Sequence, residues 1–258
     1  MRLKDRVVVI TGAASGIGRS TALLMAQEGA VQFLMDIDEP GLRETLKQLR
    51  TGKERTYLLK VDVSEEGEIR HAFETVTQST KRLDVLVCNA GVVRVGPIED
   101  FPEEDFDLLI RVNLKGTQNC CKHAIPYFKR QRAGSIITFA SVAAHVGQAQ
   151  HAHYCSTKAA ILGFTRALAL DLAPWGIRVN SISPGATDTP MLRRDVARQA
   201  MTRGIAESMV RKEFEVEGVM GRWANPHEIA SGVLFLASDD SSYMTGADLR
   251  LDGGWTAR

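Results

Sequence analysis

The chain has little of what would direct a protein to nucleic acid, to a membrane or to an oxidising compartment. Its 258 residues carry 32 Lys and Arg against 31 Asp and Glu, a formal net charge of +1. That balance gives neither a basic field for nucleic acid nor a polybasic patch for a membrane surface. The four cysteines, Cys88, Cys120, Cys121 and Cys155, have no CxxC spacing, which excludes a zinc ribbon, a dithiol redox pair and a dense disulfide framework. No apolar run is long enough to span a bilayer, and MRLKDRVVVITG passes from charge directly into a short apolar segment with no signal-peptide core. A reducing cytoplasm is the expected location, and a small molecule the expected partner. No Pro/Gly/Ser-rich linker or internal repeat divides the sequence, so residues 1–258 are expected to form one unit.

What the chain has instead is alternation. Short apolar runs at 6–11, 31–36, 56–61, 83–88, 135–141, 177–182 and 248–251 read as buried strands. The segments between them, 16–29, 39–50, 65–79, 103–130, 154–173 and 225–237, carry helical periodicity. Such alternation implies right-handed βαβ crossovers, and therefore an α/β fold whose parallel sheet is covered by helices on both faces. Residues 186–222 are the irregular part, charged and only partly periodic.

VVVITGAASGIG places Gly12, Gly16 and Gly18, with Ser15 and Ile17 between them, after the first strand and at the mouth of a helix. Glycines there allow a tight turn and a close backbone approach to a pyrophosphate, and the helix N-terminus supplies N–H donors and a favourable dipole. Asp36 ends the second strand. A carboxylate there can accept both hydroxyls of an adenosine ribose and repel a 2′-phosphate, which favours NAD over NADP; the alternative is a helix-terminal acid ahead of Glu39 and Pro40. Asp62, followed by Val63, ends the third strand and can hydrogen-bond an adenine amino group. Asn89, Ala90 and Gly91 end the fourth with small residues where the backbone must approach the adenosine half.

Tyr154 and Lys158 stand four apart in YCSTK, on one face of an expected helix. An ammonium beside a phenol whose ordinary pKa is about 10 is expected to favour the phenolate and make it an acid/base group near neutral pH.

With TGAASGIG at 11–18, DV at 62–63, CNAG at 88–91, Asn113 in VNLKG, Ser141 in ITFASVA, YCSTK at 154–158 and PGATDTP at 184–190, the sequence resembles the short-chain dehydrogenase/reductase family over essentially its whole length, in the standard-length, NAD-dependent branch. Cys88 departs from the pattern, where the family usually has Asn. The resemblance implies a Rossmann-type, doubly wound, seven-stranded parallel sheet. It implies Tyr154 as general acid/base, Lys158 on the phenolate and the nicotinamide ribose, Ser141 as donor to the substrate oxygen, and Asn113 holding a water that links Lys158 to solvent. Pro184, Gly185, Thr187 and Thr189 would bind the nicotinamide carboxamide and phosphate. The resemblance also implies a homotetramer, built on the helices of Asn113 and Tyr154 and on the C-terminal strand.

The expected reaction is hydride transfer between NAD and a secondary alcohol of the sugar, polyol or hydroxy-acid class, giving a ketone or lactone. Two alternatives are a ketoreductase like the 3-oxoacyl-carrier-protein reductases, which usually take NADPH, and a catalytically silent dinucleotide sensor or scaffold. Substrate residues are expected in the loop after Ser141, at Gln148, Gln150 or His151, and in 186–222, expected to form a lid, where Arg193 and Arg194 suit an anionic or polyhydroxylated substrate unless the acids of that stretch neutralise them. No metal is expected, because the histidine-containing loop has no acidic ligand nearby and hydride chemistry needs none.

Overall fold

The computed structural model describes residues 1–257. Seven strands form a single parallel sheet: β1 (Val7–Thr11), β2 (Val31–Asp36), β3 (Thr56–Lys60), β4 (Val85–Cys88), β5 (Gly134–Phe139), β6 (Ile177–Pro184) and β7 (Asp248–Leu251), in the order β3-β2-β1-β4-β5-β6-β7. All six pairings are parallel. Because β1 lies between β2 and β4, the chain winds outward in both directions from that point, and a crevice opens at the carboxyl ends of these strands. Every residue of β1 and β4 is buried, as their apolar composition requires when helices cover both faces.

The helices are α1 (Gly16–Gln27), α2 (Glu39–Gln48), α3 (Glu66–Thr80), α4 (Glu103–Leu109), α5 (Thr117–Gln131), α6 (Ala152–Leu172), α7 (Pro190–Arg203), α8 (Glu207–Glu217) and α9 (Pro226–Ala237). One core layer packs α3, α5 and α6 on the sheet through Phe73, Cys120, Phe128 and Leu172. The other packs α1 and α9 on the opposite face through Ile10, Met25, Ile229 and Val233. Each such side chain, fully buried, contributes roughly 1.5–3 kcal/mol. Cys88 lies in the first layer against Cys120 and Cys121, whose thiols, together with burial, push its own thiol well up; there it acts as a small apolar filler. Among the described residues no helix is long and apolar enough to cross a membrane.

Two segments differ from the sequence expectation in ways that matter for the site. The helix expected over 103–130 is interrupted at Ile110–Gly116 by a π-helical stretch that contains Asn113. The fifth strand stops at Phe139, two residues short of Ser141, which instead caps a one-turn helix over Val142–Ala144. The irregular 186–222 stretch resolves into α7 and α8, which share a small core of Val196, Ala200, Val210 and Trp223.

Candidate active site

The carboxyl ends of β1, β2, β4, β5 and β6 open onto a cavity of about 800 Å³, closed on one side by α7 and by Phe214 and Trp255. At its β1 end Gly12 has φ +67°, a conformation that L side chains rarely adopt. Gly18 is closed to any side chain, since a Cβ there would collide with the Gly12 carbonyl and lie 2.6 Å from Asn89 Nδ2. Asn89 Nδ2 braces that turn, donating to the Thr11 and Gly12 carbonyls at 3.0 and 2.9 Å. Ser15 caps α1 without spending its hydroxyl on a capping bond, and the first turn carries no acid. The helix mouth is therefore free to bind an anion.

Asp36 is oriented by the backbone. Its Oδ2 accepts the Ala14 N–H at 2.9 Å and its Oδ1 accepts the Asp38 N–H at 3.0 Å, which leaves further lone pairs for hydroxyl donors. Arg19, which sequence reasoning missed although it directly follows the last glycine, lines the same wall. Its guanidinium is held against α2, with Nε donating to Thr45 Oγ1 at 3.0 Å and Nη2 to the Ala14 carbonyl. Asp62, Val63, Ala90, Gly91, Pro184 and Thr187 also reach the cavity, as do Gly16, Ile17, Gly185 and Thr189.

Ser141, Tyr154 and Lys158 converge on the cavity, where burial dominates their electrostatics. Burial pushes the Tyr154 phenol up to about 12; a hydrogen bond with Ser141 offsets part of this and the charge of Asp195 adds to it. Burial likewise pushes Lys158 down to about 8. Lys158 Nζ donates to the Phe139 carbonyl at 2.9 Å and stands 5.8 Å from the Tyr154 ring centroid. Burial is the largest influence on the phenol, and Lys158 is not among the groups that shift it.

The Asn113 side chain serves as a brace. It is buried and committed: Oδ1 accepts the Val92 N–H at 2.8 Å, while Nδ2 donates to the Val92 carbonyl at 3.0 Å and to Thr157 Oγ1 at 3.3 Å. It ties the segment after Gly91 to α6, while the Asn113 main-chain carbonyl accepts the Thr117 hydroxyl at 2.9 Å and keeps a second lone pair for a water.

In the substrate loop, Gln148 and His151 line the cavity. The His151 ring meets Tyr154 edge-on at 6.5 Å, and its Nδ1 is 2.7 Å from the Ala149 carbonyl. Gln150 does not reach the cavity: it is exposed, with φ +62°, and its carbonyl accepts the Gly96 N–H. His145 anchors the Ser141 turn to the sheet, its Nε2 2.9 Å from Asp248 Oδ2 on β7, while Oδ1 of Asp248 accepts the Ser183 hydroxyl at 2.9 Å. His153 stacks on Phe101.

Arg193 is exposed outside the cavity, held by Asp188 at 2.6 and 2.8 Å. Arg203 pairs with Glu213. Arg194 lines the mouth and is exposed, whereas Asp195, unflagged by sequence, lines the interior and is buried. Trp255 reaches into its own chain's cavity and meets Phe214 edge-on at 6.3 Å.

Fold and site together define an oxidoreductase that acts on CH–OH groups with a nicotinamide dinucleotide. A family profile described as enoyl-(acyl carrier protein) reductase matches residues 12–256. The chain is 40% identical to a 3-oxoacyl-[acyl-carrier-protein] reductase of Thermotoga maritima, over 98% of this chain and 99% of that protein. It is 33% identical to a cyclopentanol dehydrogenase of a Comamonas species, over 99% of each. The solved structure of levodione reductase superposes with a TM-score of 0.93 at 31% identity, over 99% of each chain. The chain belongs to the short-chain dehydrogenase/reductase family.

Proposed function

We propose that the protein is an NAD(H)-dependent dehydrogenase of secondary alcohols and their ketones, acting through Tyr154, Ser141 and Lys158. The observation that carries the coenzyme choice is Asp36, an acceptor-only carboxylate fixed by two backbone N–H groups on the cavity wall. It suits the two free hydroxyls of an adenosine ribose and opposes a phosphate ester there. Arg19, the cation on that wall, has donors turned to α2 and Ala14. The glycine turn, with no room for a side chain at Gly18, supports a pyrophosphate at the mouth of α1.

A nicotinamide coenzyme held by the glycine turn, Asp36 and Lys158 would supply the hydride acceptor and, in its oxidised form, a positive charge. Tyr154 takes the hydroxyl proton during oxidation and returns it during reduction. Ser141 donates to the oxygen on which negative charge grows. Lys158, charged below a pKa of about 8, orients the nicotinamide ribose and favours the phenolate. Because burial holds the phenol near 12, oxidation is expected to accelerate with rising pH through the neutral range, and reduction to require no acid below that range. Residues 186–222 form a lid over the substrate. Assembly as a tetramer through the outer face of α6 and the C-terminal segment is supported by two large side chains left in solvent, Leu170 at 78% exposure and the fully exposed Tyr243.

A second reading, reduction of a 3-oxoacyl thioester, is favoured by the 40% identical relative of that name. A panel of alcohols, ketones and 3-oxoacyl thioesters followed at 340 nm with NAD(H) and NADP(H) separately decides between the two. We expect NAD+-linked oxidation of secondary alcohols, with Asp36→Ala lowering the NAD/NADP preference about 10- to 100-fold. Preference of the unaltered chain for NADP(H) would overturn the coenzyme assignment.

A further inference from the structure

The cavity holds one buried ion that the reaction does not use. Asp195, on α7, is 5% exposed and lines the cavity interior. Its carboxylate is fixed from one side by the next turn of its own helix: Arg198 Nη2 donates to Oδ1, and Gln199 Nε2 donates to Oδ2 at 2.9 Å. Arg198 is itself tied to the Val95 carbonyl at 3.0 Å. Neither Arg198 nor Gln199 belongs to the cavity wall, so two of the carboxylate's roughly four acceptor sites are satisfied behind the wall and the others face inward. The phenol of Tyr154 feels this charge, which puts Asp195 at the catalytic end. The cavity that it lines has apolar walls at Val92, Val142, Leu192, Phe214 and Trp255, with Gln148, His151 and Arg194 as further polar side chains.

A buried, fixed, acceptor-only group selects a ligand that brings a donor, and rejects one that brings a negative charge. We infer that Asp195 is a specificity-determining residue that accepts a hydrogen bond from a second hydroxyl of the substrate, so that diols and polyols are the favoured class over mono-alcohols and hydroxy acids. The inference rests on the reading of this cavity as an alcohol-oxidising site. It keeps the polyhydroxylated class expected from the sequence and drops the anionic one, because Arg193 is already paired with Asp188, and Arg198 and Arg203 with acids of their own.

The test uses the full chain with NAD+ and compares kcat/KM for cyclohexanol, the three positional cyclohexanediols and the mono-methyl ether of the best diol, which keeps the second oxygen but cannot donate. The best diol, corrected for its two hydroxyls, is expected to exceed both cyclohexanol and the ether by about tenfold or more, the usual size of one hydrogen bond to a charged group. Asp195→Asn, which keeps an amide oxygen for Arg198, is expected to reduce that ratio about 10- to 100-fold. If Asp195 served only to hold α7, all substrates would fall together and the ratio would persist. A diol, ether and cyclohexanol within threefold of one another, or a ratio that survives in Asp195→Asn, overturns the inference alone. The wild-type ether comparison decides the matter even where the variant does not fold. Absence of NADH formation from every alcohol overturns the underlying function as well.

Discussion

The side of the cavity proposed for the coenzyme is held by the sheet, whereas the side proposed for the substrate is held by a loop and a helix pair that carries its own ion pairs. On the first side Asp36, Asn89 and the glycine turn sit at strand ends and exchange hydrogen bonds with backbone atoms of neighbouring strands. On the second, Arg193, Arg198 and Arg203 bond to acids within α7, α8 and the turn before them. A site anchored in parallel strands keeps its geometry whatever its surface charges do. A site carried on two helices can be altered by single substitutions with little cost to the fold.

The sharpest way to break this contrast is at the junction between the sides. Tyr154→Phe removes one oxygen from α6 and is expected to lower turnover about 10³-fold in both directions, with the melting temperature little changed. Retention of more than a tenth of the wild-type rate would mean that another group moves the proton.

Lys158→Met separates catalysis from stability. Lys158 is buried, with a pKa pushed from 10.5 down to about 8. At about 1.4 kcal/mol per pKa unit, holding it charged in the fold costs on the order of 3 kcal/mol near neutrality. The sign follows from proton counts: between about 8 and 10.5 the unfolded chain binds the proton that the folded chain has lost, so stability rises with pH across that window. The penalty is complete below the folded pKa and gone above the unfolded one. The variant is therefore expected to lose at least 10²-fold in activity yet melt higher than the wild type at pH 7, by an amount that narrows toward pH 10. Thermal melts at both pH values check this. An equal or lower melting temperature at pH 7 would show that the Phe139 carbonyl bond compensates for burial.

How much could be read from sequence follows the same division. The places of the glycine turn and Asp36 were legible because they belong to strand ends, where a residue's position in the motif determines its surroundings. The 103–130 helix was legible as a helix, but its π-helical turn at Asn113 was not, since a change of hydrogen-bond register leaves the apolar pattern intact. Tyr154 and Lys158 share the cavity as their spacing implies, but spacing reports proximity and says nothing of burial, which pushes the phenol up and the ammonium down. Asp195 escaped notice for a simpler reason: successive helix residues turn by about 100°, so Arg193 faces solvent while Asp195, two positions on, faces the cavity. Periodicity was too weak in that stretch to tell which side was which.

The smallest expected effect is the most direct probe of the lid. Arg193 is exposed and bonded through two nitrogens to Asp188 outside the cavity, a pair screened by solvent and salt. Arg193→Ala is expected to change kcat/KM by less than twofold for neutral and carboxylate-bearing alcohols alike, with no dependence on ionic strength beyond that of the wild type. A selective loss on carboxylate substrates that salt abolishes would show that lid arginines steer anions from a distance. The substrate side would then be chosen by its surface field rather than by the carboxylate inside it, and the contrast between the two sides would have to be redrawn in terms of charge instead of anchorage.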